Sequence, residues 1–372
     1  MKKFHQPDYL FFVCFGIILF IGAVFLVLVS SPLGARNFQD PFYFLKHQLI
    51  FGFIPGLILF FVLSRLDYHL YKRYAVFLLI ITFLLLFLVF VPNLGYGRGL
   101  AQRWIKIGNI SFQPAELAKL TFLFYLVAWL DKRDKEIKKM AKGTGLFILL
   151  LYLMTLPIIL QRHLSTLIII FLVSLTVFFL AGARLIQFLI IIGLILNLVL
   201  LMIILSPFHL VRLRGFLEPG LDPKGAGYHL QQALIAVGSG GLLGRGLGRS
   251  VQKFLYLPET FGDSIFAVMA EEFGLIGILI FLSLYGFFIY RGFRIARSAP
   301  DNFGYLLVAG IMAWIFFQAM INIGAMIGLL PLTGVPLPLI SYGGSAMAIL
   351  LAALGIVINV SRQTRESRPR LI

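Results

Sequence analysis

The chain has 372 residues, of which 60% are hydrophobic and 13% are charged. Soluble globular domains are about 45 to 50% apolar and about 25% charged, so this composition excludes an ordinary soluble domain. The net charge of +17 does not indicate nucleic-acid binding, because lysine and arginine are concentrated in alternate short loops, as expected of membrane orientation signals.

Apolar segments of about 20 residues recur along the chain, and that is the length a helix needs to cross about 30 Å of hydrocarbon. They predict an all-α polytopic membrane protein with about ten transmembrane helices, forming one domain over residues 1–372. The predicted spans are 9–30, 44–63, 74–91, 114–130, 144–160, 164–181, 185–206, 264–290, 303–327 and 342–361. The positive-inside rule places both termini, including the tail 362–372, in the cytoplasm.

The segment 93–113 connects the third and fourth spans on the predicted outer side. It contains Arg103, Trp104 and Lys106 and runs into Pro114, a residue that suits the first turn of a helix. Tryptophan and basic residues are typical of the boundary between membrane and water. An interfacial helix with an aromatic anchor is therefore the favoured interpretation of this segment.

Two opposite charges, Glu116 and Lys119, lie three residues apart on the fourth predicted helix and therefore share one face. Charges inside a membrane are costly and need a structural or functional reason. Two interpretations are open: an ion pair that locks this helix to its neighbours, or a polar contribution to a substrate cleft.

The predicted extracytoplasmic segment between the seventh and eighth spans covers residues 207–262. Loops longer than about 12 to 15 residues are uncommon unless they are functional or disordered, and the apolar content of this one argues against disorder. Its glycine clusters, 238–241 and 244–248, have two open interpretations. They present backbone amides to a phosphate group, or they permit tight turns among re-entrant helices.

An acidic residue, Asp263, begins the eighth predicted helix. The residues Ala267, Ala270, Gly274 and Gly277 lie on the same helical face. Such a small face permits close helix packing or leaves room for a bulky group. The macrodipole alone could explain an acid at this position. Its setting at the membrane boundary favours a catalytic carboxylate.

Two features follow near the end of the chain. On the ninth predicted helix, Trp314, Gln318 and Asn322 form a polar stripe that is more typical of interhelical hydrogen bonding than of a ligand site. The segment 328–341 is apolar but contains three prolines, which forbid a continuous helix. Irregular backbone at membrane depth must be buried or line a cavity, so this segment is predicted to form a cavity wall.

Several motifs together resemble the SEDS family of FtsW, RodA and SpoVE. They are Arg103-Trp104-Ile105, Gln113-Pro114-Ala115-Glu116-Leu117-Ala118-Lys119, Gly225-Ala226-Gly227-Tyr228, Tyr256-Leu257-Pro258-Glu259, Glu271-Glu272-Phe273-Gly274 and Pro338-Leu339-Ile340-Ser341-Tyr342-Gly343-Gly344. Leu332-Thr333-Gly334 resembles the division branch, FtsW, more than RodA, and so does Gln252-Lys253-Phe254-Leu255-Tyr256.

The resemblance implies a multipass protein of the bacterial cytoplasmic membrane that polymerises lipid II into glycan strands on the outer membrane face. It also implies a class B penicillin-binding protein as partner, within a division or elongation complex. The family's essential aspartate corresponds to Asp263, its functional tryptophan to Trp104, and its glutamate and lysine on the fourth helix to Glu116 and Lys119. The alternative functions are a lipid II flippase and a non-enzymatic scaffold that activates a penicillin-binding protein.

The expected chemistry is the attack of an acceptor sugar hydroxyl on the anomeric carbon of a polyprenyl-diphosphate donor, with inversion. Asp263 is the predicted general base. The lipid tail of the donor is expected to lie between helices, along the small face behind Asp263. Cations are needed by the leaving diphosphate, and the basic residues available on the outer side are Lys106, Arg212, Arg214, Arg245, Arg249 and Lys253. A divalent cation, magnesium or manganese, is compatible with this chemistry, although the sequence shows no dedicated carboxylate cage.

Two short stretches depart from the family pattern. Phe261-Gly262 stand where a His-Thr pair is usual, immediately before the predicted base. Gln161-Arg162-His163 stand where the sixth helix usually opens with Gln-Pro-Asp. The second change removes an acid and adds positive charge, which suggests a place where a diphosphate could bind.

Overall fold

The computed structural model describes residues 6–98, 101–108, 110–133, 136–221, 225–254 and 256–363. These residues form twelve helices: α1 Tyr9–Phe38, α2 Tyr43–Leu63, α3 His69–Leu88, α4 Pro114–Asp131, α5 Met140–Leu160, α6 Leu164–Leu180, α7 Leu185–Leu205, α8 Pro207–Leu217, α9 Ala226–Ser239, α10 Ile265–Arg297, α11 Asn302–Met326 and α12 Gly344–Ser361. Three strands form one small sheet: β1 Gly95–Arg98, β2 Ala101–Ile107 and β3 Ile110–Phe112. Most of the predicted tail, residues 364–372, lies outside the described residues.

Ten of these helices correspond in order to the ten predicted spans, so the all-α polytopic fold is confirmed. Eight of them are long and apolar enough to cross a membrane. The other two are α6, which is apolar but has only 17 residues, and α4, whose 18 residues include the charged Glu116 and Lys119. The short helices α8 and α9 belong to the long segment after α7.

The helices α11 and α12 form the centre of the molecule. Within their most hydrophobic stretches, 83% and 89% of the residues are buried by the rest of the protein, against 11% in α7. Helix α11 packs against α4, α6 and α10, whereas α12 packs against α2. Side chains that project from α11 are therefore placed to organise the elements around it.

The described residues of the segment 93–113 include three strands that form a sheet, so the predicted interfacial helix is wrong. Strand β2 pairs antiparallel with β1 on one side and with β3 on the other. Within β2, Ile105 is buried and Lys106 is exposed. The strand pairing on both sides of β2 excludes a helix here, and the helix-start signal of Pro114 is used by α4 instead.

The chain between α9 and α10 folds back along α10 and packs against its small face. A Cβ atom on Gly240 would lie 2.1 Å from the Ala270 carbonyl oxygen, and one on Gly274 would lie 2.2 Å from the Gly244 nitrogen. The face is thus filled by backbone, and the predicted lipid tail along it is wrong. Close packing between turns is the interpretation of the glycine clusters that the structure supports.

Gly274 interrupts α10, where its φ is +67°. The returning chain replaces the hydrogen bonds that the helix loses there: the Arg245 amide donates to the Glu271 carbonyl at 3.0 Å, and the Leu275 amide donates to the Gly241 carbonyl at 2.9 Å. The first two turns of α10 are therefore held by the preceding loop, and Asp263 lies at the start of this supported section.

Candidate active site

A cavity of about 410 Å³ opens where the long loop, the sheet and the Pro-rich segment meet. Its lining residues come from the start of α2 and from the connections after α3, α5, α7 and α11, which are alternate connections between the long helices. The polar and charged residues that line it are His47, Arg103, Trp104, Ser111, Gln113, Glu116, Lys119, His163, Ser165, Thr166, Arg212, Glu259, Asp263, Gln318, Thr333 and Tyr342. Five of the nine residues predicted to act at the site are in this set: Asp263, Trp104, Glu116, Lys119 and Arg212.

The backbone around Asp263 is held by a turn and by a helix. The amides of Gly262 and Ser264 donate to the Glu259 carbonyl oxygen at 2.9 and 3.2 Å. The side-chain amide of Asn322, on α11, donates to the Asp263 carbonyl at 2.6 Å. With its main chain fixed on both sides, the carboxylate projects into the cavity in a defined position.

Burial and, to a smaller extent, the neighbouring Glu259 carboxylate raise the pKa of Asp263 to about 7, although Arg212 opposes the shift. A carboxylate with such a pKa is ionised in about half of the molecules at neutral pH, which suits a general base. Aspartate exposed to water, at a pKa of about 3.9, would be a much weaker proton acceptor.

The Asp263 carboxylate and the Arg212 guanidinium face one small empty space. A Cβ atom on Gly334 would lie 3.7 Å from Asp263 Oδ2 and 3.8 Å from Arg212 Nη1, so these two atoms are at most the sum of those distances, 7.5 Å, apart. Gly334 has φ +72°, which is left-handed backbone and favours glycine. Because Gly334 has no side chain, the space between the Asp263 carboxylate and the Arg212 guanidinium stays open for a reacting group.

Glu116 and Lys119 form a buried ion pair, with 2.8 Å between Oε2 and Nζ. The Lys119 ammonium also donates to Gln318 at 3.0 Å and lies 4.7 Å from the centroid of the Trp314 ring. Since both charged residues also line the cavity, the pair locks α4 to α11 and forms part of the cavity wall. The two interpretations left open by the sequence are thus compatible.

The Pro-rich segment 328–341 is irregular and lines the cavity, as predicted. It is tied down by side chains: Gln318 Nε2 donates to the Pro336 carbonyl at 3.0 Å, Asn322 Nδ2 donates to the Val335 carbonyl at 2.7 Å, and the Ser165 hydroxyl donates to the Thr333 carbonyl. The polar stripe on α11 therefore makes an interhelical hydrogen bond, as predicted, through Gln318 and Lys119. It also binds this segment, so the same residues shape the cavity.

Phe261, the residue that departs from the family pattern, belongs to an aromatic cluster. Its ring centroid lies 4.4 Å from that of Phe44 and 5.4 Å from that of Tyr342. The Tyr342 amide also donates to the Phe261 carbonyl at 2.9 Å. The substitution thus joins the turn before Asp263 to α2 and to the chain before α12, through apolar packing.

Four predicted substrate-binding cations do not line the cavity. Lys106, Arg214 and Arg249 are exposed elsewhere. Lys253 is buried, and its ammonium lies 3.3 Å from Glu272 and 2.6 Å from the Gly248 carbonyl. The geometry gives Lys253 a structural partner, so the predicted diphosphate contact has no support for these four residues.

Two buried acids, Glu271 and Glu272, explain why two basic residues of the loop are not available to bind a diphosphate. Glu272 accepts from the amides of Gly248 and Ser250, and Glu271 accepts from the Ser250 hydroxyl at 2.5 Å and from the Val251 amide at 3.1 Å. Arg245 Nη1 lies 3.3 Å from Glu271. Arg245 and Lys253 therefore neutralise acids of α10 and stabilise the returning loop.

Arg103, His163 and Glu259 also line the cavity but were not among the predicted site residues, although 161–163 was noted as a place where a diphosphate could bind. Arg103 precedes Trp104 and Glu259 lies four residues before Asp263, so proximity in sequence was the available signal. His163 was visible only as a departure from the family pattern.

A divalent cation would find few protein ligands in the cavity. Among the described residues, no group of three or more His, Cys, Asp or Glu side chains is arranged to hold a metal ion. Asp263 and Glu259 supply two carboxylates, which fits magnesium bound by one or two carboxylates together with substrate phosphates. Such an ion would neutralise charge on the leaving diphosphate.

Known proteins match this chain over nearly its whole length. A family model for FtsW, RodA and SpoVE, described as a cell cycle protein, matches residues 8–366. The chain belongs to the FtsW/RodA/SpoVE family. It is 38% identical over 361 residues to stage V sporulation protein E of Bacillus subtilis, with 97% of this chain and 98% of the relative covered. It is also 38% identical over 355 residues to the probable peptidoglycan glycosyltransferase FtsW of Thioalkalivibrio sulfidiphilus, with 95% and 88% covered.

Solved structures of the same family share the fold. A chain of a peptidoglycan synthase complex, described as coordinating polymerization and crosslinking, superposes with a TM-score of 0.76 and 28% identity, covering 96% of this chain and 98% of that one. The rod shape determining protein RodA of Thermus thermophilus gives a TM-score of 0.67 and 27% identity, with 97% and 99% covered.

Proposed function

We propose that this FtsW/RodA/SpoVE-family protein is a peptidoglycan glycosyltransferase that polymerises lipid II into glycan strands at the outer face of the cytoplasmic membrane. The observation that carries the proposal is Asp263, a half-buried carboxylate with a pKa of about 7 that lines a polar cavity together with the Arg212 guanidinium. Relatives named peptidoglycan glycosyltransferase FtsW support the same activity.

The proposed reaction is one displacement with inversion. The Asp263 carboxylate accepts the proton of the acceptor sugar hydroxyl while the hydroxyl oxygen forms a bond to the anomeric carbon of the donor. The bond from that carbon to the diphosphate oxygen breaks, and its electron pair leaves with the diphosphate. Arg212 lies close enough to Asp263 to stabilise the charge that develops on the leaving group.

The remaining residues hold this centre in place. Asn322 positions the Asp263 backbone, and the Glu116–Lys119 pair and Gln318 fix the inner wall of the cavity. Gly334 leaves open the space between the base and the guanidinium. Preorganisation of this kind lowers the barrier by avoiding reorganisation during the reaction.

The setting of the reaction is part of the proposal. Both termini are cytoplasmic by the distribution of positive charge, and the cavity therefore faces outward. The partner is a class B penicillin-binding protein that crosslinks the strands, and the structural relative from a synthase complex supports such a pairing. Similarity to proteins named FtsW favours a role in cell division.

The experiment uses the purified protein with its penicillin-binding partner, fluorescent lipid II, and the Asp263→Asn variant. Glycan strands from the parent protein and none from the variant support the glycosyltransferase. A flippase would move lipid II across vesicles in both proteins without making polymer. A scaffold would allow polymer formation with either protein, provided that the partner is present. Either of these last two results contradicts the proposal.

A further inference from the structure

The residue after the proposed base, Ser264, links Asp263 to a histidine that the proposed mechanism has not used. Ser264 is fully buried. Its hydroxyl oxygen lies 2.6 Å from Nε2 of His229, on α9. The hydroxyl is also placed to donate to the Pro258 carbonyl at 2.9 Å or to Oδ1 of Asp263 at 3.5 Å. Because α9 packs against α10, a residue distant in sequence is connected to the proposed base through one side chain.

The single proton of the Ser264 hydroxyl cannot serve all three of these neighbours. The Pro258 carbonyl and the ionised Asp263 carboxylate can only accept hydrogen bonds, so they compete for that proton. An unprotonated Nε2 of His229 would be a third acceptor, and it would leave the other two facing an oxygen without a proton. The contacts therefore favour the tautomer in which Nε2–H of His229 donates to Ser264. The hydroxyl proton then stays available to Pro258 or Asp263.

His229 makes this hydrogen bond as a neutral ring. Burial, followed by the positive charge of Arg212, lowers the pKa of His229 to about 4. At neutral pH its two ring nitrogens therefore hold one proton between them. What His229 contributes near Asp263 is thus a directed hydrogen bond to Ser264 and not a positive charge.

The two oxygens of the Asp263 carboxylate have different neighbours. Oδ1 faces the Ser264 hydroxyl, whereas Oδ2 faces the open space at Gly334, 3.7 Å from where a Cβ atom on that glycine would lie. The last side-chain torsion of an aspartate has only a broad preference of its own. A hydrogen bond to Oδ1 therefore decides which oxygen is turned toward the open space.

We propose that His229 and Ser264 are positioning residues for the Asp263 carboxylate: His229 orients the Ser264 hydroxyl, and the hydroxyl holds Oδ1 so that Oδ2 faces the reacting sugar. The inference rests on the proposed function, because it assigns Oδ2 as the atom that accepts the proton of the acceptor hydroxyl. Neither positioning residue is among those that line the cavity. Their effect on the reaction is therefore exerted through Asp263, and it should appear in kcat and not in KM.

The first experiment measures steady-state polymerisation of fluorescent lipid II by the protein with its penicillin-binding partner. Ser264→Ala should lower kcat roughly tenfold and change KM by less than about twofold, because the substrate contacts remain while the carboxylate is free to rotate. Ser264→Cys fills nearly the same space, but a thiol is a weak donor, so its kcat should also fall. The matched control is Ser239→Ala, which loses a hydroxyl that donates to the Ala236 carbonyl within α9, away from the cavity. It should keep parental kinetics.

The second pair of variants tests His229. His229→Leu removes the donor and should lower kcat roughly fivefold with little change in KM. His229→Gln carries a side-chain amide that can donate in place of Nε2–H, and it should restore at least about half of the parental kcat. Gln231→Leu is the control on the same helix, because Gln231 is exposed and does not line the cavity. Thermal unfolding of each variant identifies any that fail to fold.

Infrared difference spectroscopy tests the contact without turnover. The carboxylate band of Asp263 is obtained by subtracting the spectrum of Asp263→Asn from that of the parent at about pH 9, where a group with a pKa of about 7 is ionised. Loss of a hydrogen bond to Oδ1 changes the carboxylate stretching frequencies. We expect this band to shift in Ser264→Ala and in His229→Leu, and to stay in place in Ser239→Ala.

The inference is overturned if folded Ser264→Ala or His229→Leu protein polymerises lipid II with the parental kcat, or if the carboxylate band does not shift. Parental kcat in Ser264→Cys also overturns it, because Ser264 would then only fill space. Any of these results in a preparation whose parent protein makes polymer contradicts the positioning pair alone. A parent protein that makes no polymer, but whose band shifts in Ser264→Ala, contradicts the proposed function while it supports the contact between Ser264 and Asp263.

Discussion

The side-chain amide of Asn322 donates hydrogen bonds to the Asp263 carbonyl at 2.6 Å and to the Val335 carbonyl at 2.7 Å. One residue near the end of the central helix α11 therefore fixes both the proposed base and the Pro-rich wall that faces it. The distance between Asp263 and the Pro-rich wall determines how much space the reacting sugar has. The two hydrogen bonds of Asn322 therefore affect catalysis.

Replacement of Asn322 by alanine should slow polymerisation more than it weakens substrate binding. Loss of both hydrogen bonds frees the Asp263 backbone, and misplacement of a catalytic group by about 1 Å can cost roughly 100-fold in rate. We expect kcat to fall roughly 10- to 100-fold with a small change in KM. The control is Asn359→Ala on α12, which loses a buried hydrogen bond to the Ser64 carbonyl away from the cavity. Equal loss of kcat in both variants would contradict the positioning role.

Replacement of Gly334 by alanine should block the reaction by occupying the space between Asp263 and Arg212. The added methyl group would lie 3.7 Å from Asp263 Oδ2, in ordinary contact, so the cavity itself tolerates it while a substrate does not. Gly241→Ala introduces a similar backbone penalty, at φ +55°, but its methyl group meets nothing within 4 Å. We expect polymerisation of lipid II to be lost in the first variant and retained in the second. Comparable activities in the two would show that the space is not used.

The pH dependence of kcat/KM should report the ionisation of Asp263. A general base must be deprotonated to act, so activity should fall as the pH drops below about 7 and level off above it. Glu259→Gln removes a negative charge that helps to raise the pKa of Asp263. In this variant, the fall in kcat/KM on the acid side should therefore occur at lower pH. Glu218→Gln, at an exposed residue outside the cavity, should leave it in place. An acid-side fall in kcat/KM that occurs at the same pH in Glu259→Gln as in the parent would contradict the effect of Glu259 on the pKa of Asp263.

Packing of the returning loop against α10 can be tested with two glycines close in sequence. A Cβ atom on Gly240 would lie 2.1 Å from the Ala270 carbonyl, whereas one on Gly238 would meet nothing within 4 Å. Overpacking of this kind costs about 1–3 kcal/mol, so Gly240→Ala should lower the free energy of unfolding by that amount. Gly238→Ala, within α9, should leave stability unchanged or raise it by about 0.5–1 kcal/mol. Thermal unfolding in detergent that gives equal midpoints would contradict the close approach.

Much of the architecture could be predicted from the sequence because the membrane imposes a simple rule. A segment of about 20 apolar residues must form a helix that satisfies its own backbone, and ten such segments appear in order. Asp263 could be identified for a related reason, since an acid at a helix start near a membrane boundary is costly unless it serves a purpose. The Pro-rich segment followed from the same argument.

The parts that could not be predicted depend on contacts between distant segments. The small face of α10 has the same pattern whether it holds a lipid tail or a loop, and only the position of Gly240 and Gly244 decides between them. In the sequence, nothing near Lys253 indicates a partner for its charge. In the structure it forms an ion pair with Glu272, nineteen residues further along the chain. The three short strands were missed because Pro114 gave a strong helix signal, while the alternation around Ile105 spans only a few residues.

The most direct test of the account is the rate of glycosidic bond formation in a single turnover, measured with labelled lipid II and excess protein for the parent and for Asp263→Asn. If Asp263 removes the acceptor proton, the variant should form the bond roughly 10²- to 10⁴-fold more slowly. A folded Asp263→Asn protein that forms glycan strands at the parental rate would contradict the central claim.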